Sequence, residues 1–311
     1  MKILITGGAG FLGSNLSRQA LSAGHEVVAL DDLSTGDVSN IEDLILDPRY
    51  QFIEHDVRDK IGVNSDWIMN FACPASPIHY QHDPVKTIET NFLGMNNMLQ
   101  LARKTGARVL QASTSEVYGD PVISPQIEEY WGNVNPIGIR SCYDEGKRAA
   151  ETLCYDYRRE HRLDVRVIRI FNTYGPGMAV NDGRVVSNFL VQALQGNPIT
   201  IYGDGNQTRS FCYVDDLVRG IFQVLTSELM PSTPINLGNP TEFSMNELAQ
   251  VVQRILKSET GIEYRELPQD DPRQRKPDIS KAVGLYGWRP EIELERGISR
   301  TAEYFKSKLK I

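Results

Sequence analysis

The chain has few of the residues on which many protein classes depend. Its 311 residues include only 4 cysteines and 5 histidines. The cysteines form no CxxC pair and are scattered at Cys73, Cys142, Cys154 and Cys212. This spacing excludes a disulfide framework, so we expect reduced thiols that are mostly structural. His79 and His82 have no third ligand at a suitable spacing, so we expect no metal site.

Basic charge and long apolar runs are also lacking. Lysine and arginine number 33 against 40 aspartates and glutamates, a formal net charge of -7 that argues against a nucleic-acid partner. No apolar stretch approaches the roughly 20 residues that cross a bilayer. The chain starts on a strand-like segment, residues 2–6, without the pattern of a signal peptide. We therefore expect a soluble cytoplasmic protein with no membrane contact.

The first half of the chain alternates short apolar runs with helical patterns, which is typical of a doubly wound parallel α/β sheet. Strands are predicted at residues 3–6, 26–30, 52–55, 67–71, 108–112 and 165–170, and helices at 11–23, 84–105 and 143–160. Further helices are predicted at 185–195, 214–225, 244–258 and 293–308, with a strand at 199–202. We expect a Rossmann domain at 1–171 and a smaller α+β substrate-binding lobe at 172–311, with segments near 214–240 returning to the first domain.

A glycine-rich turn joins the first predicted strand to the first helix. Gly8-x-Gly10-x-x-Gly13 fits the usual dinucleotide fingerprint, and Gly7-x-x-Gly10-x-x-Gly13 fits its short-chain dehydrogenase variant. Such a turn lets a pyrophosphate approach the amides at the helix N-terminus. Asp31, at the end of the second strand, can accept hydrogen bonds from ribose hydroxyls and would repel a 2′-phosphate. The sequence therefore predicts NAD rather than NADP.

Tyr143 and Lys147 stand four residues apart on a predicted helix, and so share one face of it. An ammonium beside a phenol favours the phenolate, so we expect Lys147 to lower the pKa of Tyr143 from about 10 towards neutrality. A base of that strength suits hydride chemistry on an alcohol. The spacing alone is common by chance, and it gains weight from the glycine turn.

Three hydroxyls and a carboxylate follow the fifth predicted strand, at Ser113, Thr114, Ser115 and Glu116. Ligands of such sheets bind outside the carboxyl ends of the strands. A capped loop is the alternative, but the Tyr/Lys pair favours a site here. Asp56 follows the third strand and could meet an adenine edge, although a surface turn explains its position equally well.

The order and spacing of longer segments resemble the extended short-chain dehydrogenase/reductases, and within them the UDP-glucuronate decarboxylases, or UDP-xylose synthases. The matching segments span nearly the full chain, at residues 72–77, 112–121, 130–132, 135–138, 142–147, 169–176, 182–189, 202–213 and 270–278. The related 4,6-dehydratases carry Asp-Glu where this chain has Ser115-Glu116, and epimerases typically lack the glutamate. GDP-mannose dehydratases share Thr-Ser-Glu but lack the segments at 72–77 and 270–278. Thr114-Ser115-Glu116 therefore favours the decarboxylases.

The resemblance implies NAD-dependent conversion of UDP-glucuronate to UDP-xylose through a 4-keto intermediate. The implied catalytic residues are Tyr143, Lys147, Thr114, Ser115, Glu116 and Arg275. Arg275 is expected to pair with the sugar carboxylate, with Arg273 as the neighbouring alternative. A 4,6-dehydratase, a 4-epimerase and a non-catalytic sugar-nucleotide-binding protein are the other readings. The resemblance also implies a homodimer through helices 84–105 and 143–160, while a monomer or tetramer stays open.

Binding residues are implied for both ligands. Those for NAD are Gly7, Gly10, Phe11, Leu12, Gly13, Asp31, Asp32, Ser34, Thr35, Gly36, Asp56, Val57, Thr90, Ser113, Tyr143, Lys147, Thr173 and Arg184. Those for the sugar nucleotide are Pro74, Glu116, Asn172, Val186, Ser187, Asn188, Phe189, Tyr202, Gln207, Arg209 and Arg275. The chain departs from the family's usual residues at two places. The first weakens the case for one contact to NAD, and the second for one contact to the sugar nucleotide. Gly177-Met178-Ala179 replaces the Arg-Met-His frequent in the family, and Glu89 replaces a frequent lysine.

Overall fold

A computed structural model describes residues 1–266 and 274–311. The strands are β1 Lys2–Thr6, β2 Glu26–Asp31, β3 Tyr50–Glu54, β4 Trp67–Asn70, β5 Arg108–Thr114, β6 Val165–Ile170, β7 Thr173–Tyr174, β8 Ile199–Tyr202, β9 Thr208–Ser210, β10 Cys212–Tyr213, β11 Ile235–Leu237, β12 Glu242–Ser244 and β13 Ile262–Arg265. The α-helices are α1 Phe11–Ser22, α2 Pro77–Tyr80, α3 Pro84–Glu89, α4 Met95–Thr105, α5 Ser141–His161, α6 Val185–Leu194, α7 Val214–Thr226, α8 Met245–Leu256, α9 Ser280–Tyr286 and α10 Leu294–Leu309. Short 3-10 segments lie at Val38–Asn40 and Ser115–Tyr118.

Seven parallel strands form the main sheet, in the order β11-β6-β5-β4-β1-β2-β3. This confirms the predicted doubly wound α/β class. Helices cover both faces, and the central strands read as continuous apolar runs because neither face meets water. The order reverses between β1 and β4, and ligands of such sheets bind at that reversal, outside the carboxyl ends of the strands.

The helices divide between the two faces of the sheet. On one face, α1 packs against α7, and the apolar core there extends into the second half of the chain. On the other face, α4 and α5 pack on β5 through buried residues such as Met98, Leu99 and Cys154. The Tyr143 helix is therefore fixed along the β5 side of the site.

The second half of the chain contributes one strand to the main sheet and forms short strand pairs outside it. β11 pairs with β6 in the main sheet, while β8 pairs with β13 and β9 with β12 outside it. α6 and α8 pack together beside these short pairs. The sequence did not predict α2, α9, β7 or β9 to β13, because elements of two to seven residues show too little periodicity.

The predicted helix at 84–105 is interrupted by one π-helical segment, Thr90–Gly94. Thr90 Oγ1 donates to the Lys86 carbonyl at 2.8 Å, and Asn91 Nδ2 donates to the Thr87 carbonyl at 3.1 Å. Side chains that compete for the carbonyl four residues back disturb the helical ladder, which explains the wider turn.

Two predicted boundaries also move. β5 continues to Thr114, so Ser113 and Thr114 lie on the strand rather than beyond it. α5 begins at Ser141, two residues before Tyr143.

Candidate active site

Two adjoining cavities open at the carboxyl ends of the strands. The glycine-turn cavity lies over β1 and β2, and the Tyr143 cavity lies over β5 and β6 and reaches the smaller lobe. Their shared wall is formed by Leu12, Phe71, Cys73, Ala75, Met178 and Arg184. A molecule in one cavity could therefore react with a molecule in the other.

Backbone geometry forms the glycine-turn cavity. Gly7 has a φ of +69°, and a Cβ at Gly13 would overlap the Gly7 carbonyl oxygen. No side chain caps the N-terminus of α1, so its amides stay available to an anion. Asp31 accepts hydrogen bonds from the amides of Ala9 at 3.0 Å and Leu33 at 2.9 Å. These residues fit the pyrophosphate and ribose of a dinucleotide.

Most of the predicted NAD residues line the glycine-turn cavity. They are Gly7, Gly10, Phe11, Leu12, Gly13, Asp31, Asp32, Ser34, Thr35, Asp56, Val57, Thr90 and Arg184. Four others line the Tyr143 cavity instead, namely Ser113, Tyr143, Lys147 and Thr173. Gly36 lies behind the cavity, where a Cβ would stand 2.6 Å from Asp31 Oδ1. The Ser113 hydroxyl donates to the buried Glu151 at 2.5 Å, so its proton is already used within the protein.

Tyr143 and Lys147 lie together on the buried face of α5. The Lys147 ammonium stands 5.7 Å from the centre of the Tyr143 ring and donates to the Ala112 carbonyl at 2.9 Å. The Tyr143 ring stacks on Tyr80, with 5.0 Å between centroids. Thr114 hydrogen-bonds the Tyr143 side chain. A substrate hydroxyl that reaches this point would meet a phenol and a second hydroxyl together.

The prediction that the pKa of Tyr143 falls towards neutrality is wrong for the chain by itself. Burial disfavours the phenolate and raises the pKa of Tyr143, and a nearby thiol, Cys73, adds to this, while the Thr114 hydrogen bond only partly opposes it. Burial also lowers the pKa of Lys147. Positive charge brought close to the phenol would lower the pKa of Tyr143 again.

A buried charge cluster lies across the Tyr143 cavity from the phenol. Glu116 stands between two guanidinium groups, 3.0 Å from Arg140 Nη2 and 2.6 Å from Arg275 Nη2. Arg275 Nη1 also lies 3.5 Å from Asn172 Oδ1. Within the described residues, the buried Arg275 Nε has no hydrogen-bond acceptor. Arg275 thus has a donor to spare, whereas Arg273 lies outside the described residues.

Asp144 adds a second carboxyl beside this cluster. Its Oδ1 is buried and has no hydrogen-bond partner among the residues that the structure describes. Burial, with the like charge of Glu116, raises the pKa of Asp144 to about 7. Asp144 therefore keeps its proton to a higher pH than an exposed aspartate does.

A hydrogen-bonded clamp sets the position of Arg275. Gln126 is buried and accepts a hydrogen bond from the Lys276 amide on its side chain at 2.8 Å. Its main chain also bonds the Lys276 carbonyl and the Asp278 amide. Asn236 Nδ2 donates to the carbonyls of Gln126 and Asp278, both at 3.0 Å. β11 and the loop after β5 therefore hold the segment that presents Arg275.

The remaining predicted substrate residues occupy several positions. Those that line the Tyr143 cavity are Thr114, Ser115, Glu116, Asn172, Val186, Asn188, Phe189, Tyr202, Gln207, Arg209 and Arg275. Pro74 lines the glycine-turn cavity instead. Ser187 is fully buried and donates to the Arg184 carbonyl at 2.8 Å. The Gln207 side-chain amide donates to the Tyr202 carbonyl.

The two departures from the family pattern have local explanations. Glu89 pairs with Arg58 at 2.6 Å, and Arg58 also pairs with Asp56 at 2.8 Å. Glu89 thus faces the Asp56 side rather than the Tyr143 cavity. Gly177 has a φ of +99°, and a Cβ there would lie 3.1 Å from Asn15 Nδ2.

Sequence reasoning missed many of the lining residues, including the following four side chains. Tyr80 and Arg140 line the Tyr143 cavity, and Tyr304 and Lys308 of α10 line the glycine-turn cavity. Arg140 directly precedes α5, so an earlier helix start would have indicated it. Nothing in the sequence signals that α10 returns to a turn near residue 10.

Two further searches covered only the described parts of the chain. Residues 1–266 and 274–311 hold no group of three or more His, Cys, Asp or Glu side chains suited to a metal ion. Over the same ranges, no helix is both long and apolar enough to span a membrane.

The sequence and the fold of this chain are both similar to those of known proteins. Residues 3–238 match the model of the NAD dependent epimerase/dehydratase family. The chain is 53% identical over 310 residues to UDP-glucuronic acid decarboxylase 6 of Arabidopsis thaliana, covering 99% of this chain and 90% of that protein. It is 52% identical to UDP-glucuronic acid decarboxylase 1 of Xenopus tropicalis, covering 99% and 73%. UDP-glucuronic acid 4-epimerase from Bacillus cereus, solved with UDP-glucuronic acid and NAD, superposes with a TM-score of 0.88 at 28% identity, covering 99% of this chain and 100% of that one.

Proposed function

The chain belongs to the NAD dependent epimerase/dehydratase family, and on that premise we propose that it converts UDP-glucuronate to UDP-xylose. The reaction oxidises carbon 4 of the sugar, releases carbon dioxide and reduces the resulting ketone again. One observation carries this proposal: Glu116 and Arg275, 2.6 Å apart, line the same cavity as Tyr143 and Thr114. An alcohol-oxidising pair and a carboxylate-binding cation thus face one sugar. Relatives named UDP-glucuronic acid decarboxylase, one of them similar over 99% of this chain, support the same reaction.

Tyr143 and Thr114 act at carbon 4. The Tyr143 phenolate takes the proton of the carbon-4 hydroxyl, while Lys147 stabilises the phenolate and holds the nicotinamide ribose. When bound, NAD supplies a cationic ring that accepts the hydride from carbon 4 and later returns it. Such positive charge offsets the burial that raises the pKa of Tyr143 in the chain by itself. Tyr143 and Thr114 then donate hydrogen bonds to the carbonyl oxygen.

Arg275 and Glu116 act on the other side of the sugar ring. The new ketone is β to the carboxylate, so carbon dioxide can leave with its electrons delocalised into the carbonyl as an enolate. Arg275 holds the carboxylate before it leaves, and its spare Nε donor is suited to a planar acceptor. Glu116, with Ser115, positions the ring and helps return a proton to carbon 5.

The nucleotide half of the substrate extends towards the smaller lobe. We assign Asn172 and Arg209 to the pyrophosphate, residues 186–189 to the uracil border, and Tyr202 and Gln207 to the uridine. Arg209 is buried at the cavity wall, where water screens its charge weakly. This arrangement leaves Arg275 for the sugar.

The test is to incubate purified protein with UDP-glucuronate, with and without added NAD, and to identify every product. Carbon dioxide and UDP-xylose are expected. UDP-galacturonate without carbon dioxide would instead indicate a 4-epimerase. A 4,6-dehydratase would leave UDP-glucuronate unchanged, since it has no carbon-6 hydroxyl to eliminate, and would form a 4-keto-6-deoxy sugar from UDP-glucose in a parallel incubation. Binding with no turnover would leave only a sugar-nucleotide-binding role. Activity without added NAD would show that the cofactor is retained through purification.

We also propose that the protein is a cytoplasmic homodimer. α3 and the π-helical segment expose Val85, Ile88, Phe92 and Leu93, each at least 40% exposed. Large apolar side chains in a row on one surface suit a partner helix. The four free cysteines fit a reducing compartment. Light scattering should give twice the chain mass, and Phe92→Glu should give a monomer; a wild-type monomer would contradict the proposal.

A further inference from the structure

We propose that Lys308, in the last turn of α10, is a cofactor-binding residue that supplies positive charge to the dinucleotide pyrophosphate. The inference rests on the proposed binding of NAD in the glycine-turn cavity. It gives the C-terminal helix a role in holding the cofactor, although that helix is almost 300 residues from the glycine turn.

Two contacts bring the end of α10 to the rim of the glycine-turn cavity. Lys308 Nζ donates to the Ser39 hydroxyl at 2.6 Å. One turn earlier, the Tyr304 hydroxyl donates to the Met178 carbonyl at 3.2 Å. The helix thus spans from the 3-10 segment after β2 to the turn at 177–179. Lys308 and Tyr304 both line the cavity that this crossing covers.

The segment that holds Lys308 is itself bonded to the glycine turn. The Asp37 amide donates to the Ala9 carbonyl at 3.1 Å. Asn40 Nδ2 donates to the same carbonyl at 3.1 Å and approaches the Gly177 carbonyl at 3.4 Å. Ala9 directly precedes the N-terminus of α1, where the pyrophosphate is expected. The Ser39 contact therefore holds the Lys308 ammonium on the segment that is bonded to the glycine turn, in the lining of the same cavity.

Of the lysine and arginine side chains that line this cavity, Lys308 is the one without a direct ion pair to a carboxylate in the described part of the chain. Five aspartates line it, at Asp31, Asp32, Asp37, Asp56 and Asp182, against three lysine and arginine side chains, at Lys86, Arg184 and Lys308. Lys86 pairs with Asp32 at 2.7 Å, and Arg184 pairs with Asp182. Among the described residues, Lys308 forms no such ion pair and is bonded to a neutral hydroxyl. Hydrogen bonds from Ser39 lower the pKa of Asp37, and the Lys308 charge is near enough to lower it further, but no direct ion pair joins Lys308 and Asp37 in the described structure.

The opposite rim offers no substitute for this charge. Gly177, Met178 and Ala179 carry no cationic side chain. The helix dipole of α1 supplies only about half a positive charge. A pyrophosphate among five carboxylates needs more than that, and a long flexible lysine can move from Ser39 to a phosphate oxygen. Lys308 is the residue that can meet this need.

The test compares cofactor binding in Lys308→Met, Lys308→Arg and Lys306→Met. Lys306 is a matched control, because it lies on the same helix but pairs with Glu303 at 2.8 Å. Calorimetry should measure NAD, ADP-ribose and adenosine separately. Lys308→Met should weaken NAD and ADP-ribose about tenfold, the effect of one charge-assisted hydrogen bond. Adenosine affinity should not change, since adenosine has no phosphate.

The two other variants and a measurement at high salt complete the test. Lys308→Arg should keep most of the affinity, Lys306→Met should behave as wild type, and the loss in Lys308→Met should shrink at high salt. NAD affinity in Lys308→Met within twofold of wild type would overturn the inference. An equal loss for adenosine would also overturn it, by assigning Lys308 to packing of the nucleoside. Failure of the wild-type protein to bind NAD would instead sink the proposed function, and this inference with it.

Discussion

The two cavities are built in different ways, although they share one wall. The glycine-turn cavity takes the largest single share of its lining from one stretch, residues 7–57, which includes the glycine turn. The Tyr143 cavity gathers side chains from β5, α5, the smaller lobe and the segment at 274–278. It contains a buried carboxylate between two guanidinium groups, an arrangement that is costly unless every partner is in place. The first cavity should tolerate substitution of single side chains better than the second.

The largest effect should come from the centre of the Tyr143 cavity. Tyr143→Phe removes the proton acceptor while keeping the ring that stacks on Tyr80. Turnover should fall by a factor on the order of 10³ or more, as expected when a general base is lost. UDP affinity, measured by calorimetry, should stay near wild type, because the phenol carries little of the nucleotide surface. Turnover at the wild-type rate would exclude Tyr143 as the base.

The second effect separates the sugar from the nucleotide within the same cavity. Arg275→Ala should weaken UDP-glucuronate by at least about tenfold, since losing one partner of a buried charge pair costs on the order of 2–5 kcal/mol. UDP and UDP-glucose should be affected far less, because neither carries the carboxylate. An equal loss for UDP would assign Arg275 to the nucleotide and make Arg273 the better candidate.

Removing the Arg275 side chain also changes the surroundings of Asn172 and Glu116. Arg275 contacts both in the described structure, so its removal also leaves Glu116 with Arg140 as its remaining described cation. Arg275→Lys keeps the charge but loses the planar fork, and it should recover only part of the affinity.

The third effect tests the glycine-turn cavity. Asp31 is buried in the glycine-turn cavity and accepts two amide hydrogen bonds. In its predicted place at the ribose, its charge would directly oppose a 2′-phosphate. NADP should bind at least about tenfold more weakly than NAD, because a like-charge contact costs several kcal/mol before screening. Calorimetry with both cofactors checks this. Equal or tighter binding of NADP would contradict the role of Asp31.

The smallest effect is one of stability rather than turnover. The pKa of Asp144 is raised by burial and by Glu116, so the folded state holds its proton more tightly than the unfolded state. Stability therefore falls as pH rises from the ordinary range of an aspartate through about 7. Asp144→Asn cannot ionise and should be more stable than wild type at pH 8, by on the order of 1–3 kcal/mol. The difference should vanish towards pH 4.

Urea unfolding at several pH values measures this difference. Glu145→Gln is a useful control, because Glu145 is the next residue of α5 and pairs with Arg148 at the surface. The control should change stability little at any pH. Equal stability of Asp144→Asn and wild type at pH 8 would show that Asp144 is ionised without cost.

Much of the fold was predictable because its signals are local. The glycine turn, Asp31 and the Tyr/Lys pair each depend on residues within about one element, and β1, β6 and β8 lie where the apolar runs predicted them, to within a residue. The π-helical segment and the short strands of the smaller lobe were missed. Their causes are single side-chain hydrogen bonds and pairing partners far along the chain, which leave no periodic pattern.

The sequence by itself determined the class of fold, the glycine turn and which residue types could do the chemistry. Only the tertiary structure decided that Glu116 lies between Arg140 and Arg275, that Gln126 and Asn236 hold the Arg275 segment, and that Lys308 reaches Ser39. It also reversed the expected direction of the Tyr143 pKa, because burial of the phenol is the largest influence on that pKa. The physical reason is common to all of these. Turn geometry and helix spacing act over a few residues, whereas desolvation and charge pairing depend on the whole packed neighbourhood.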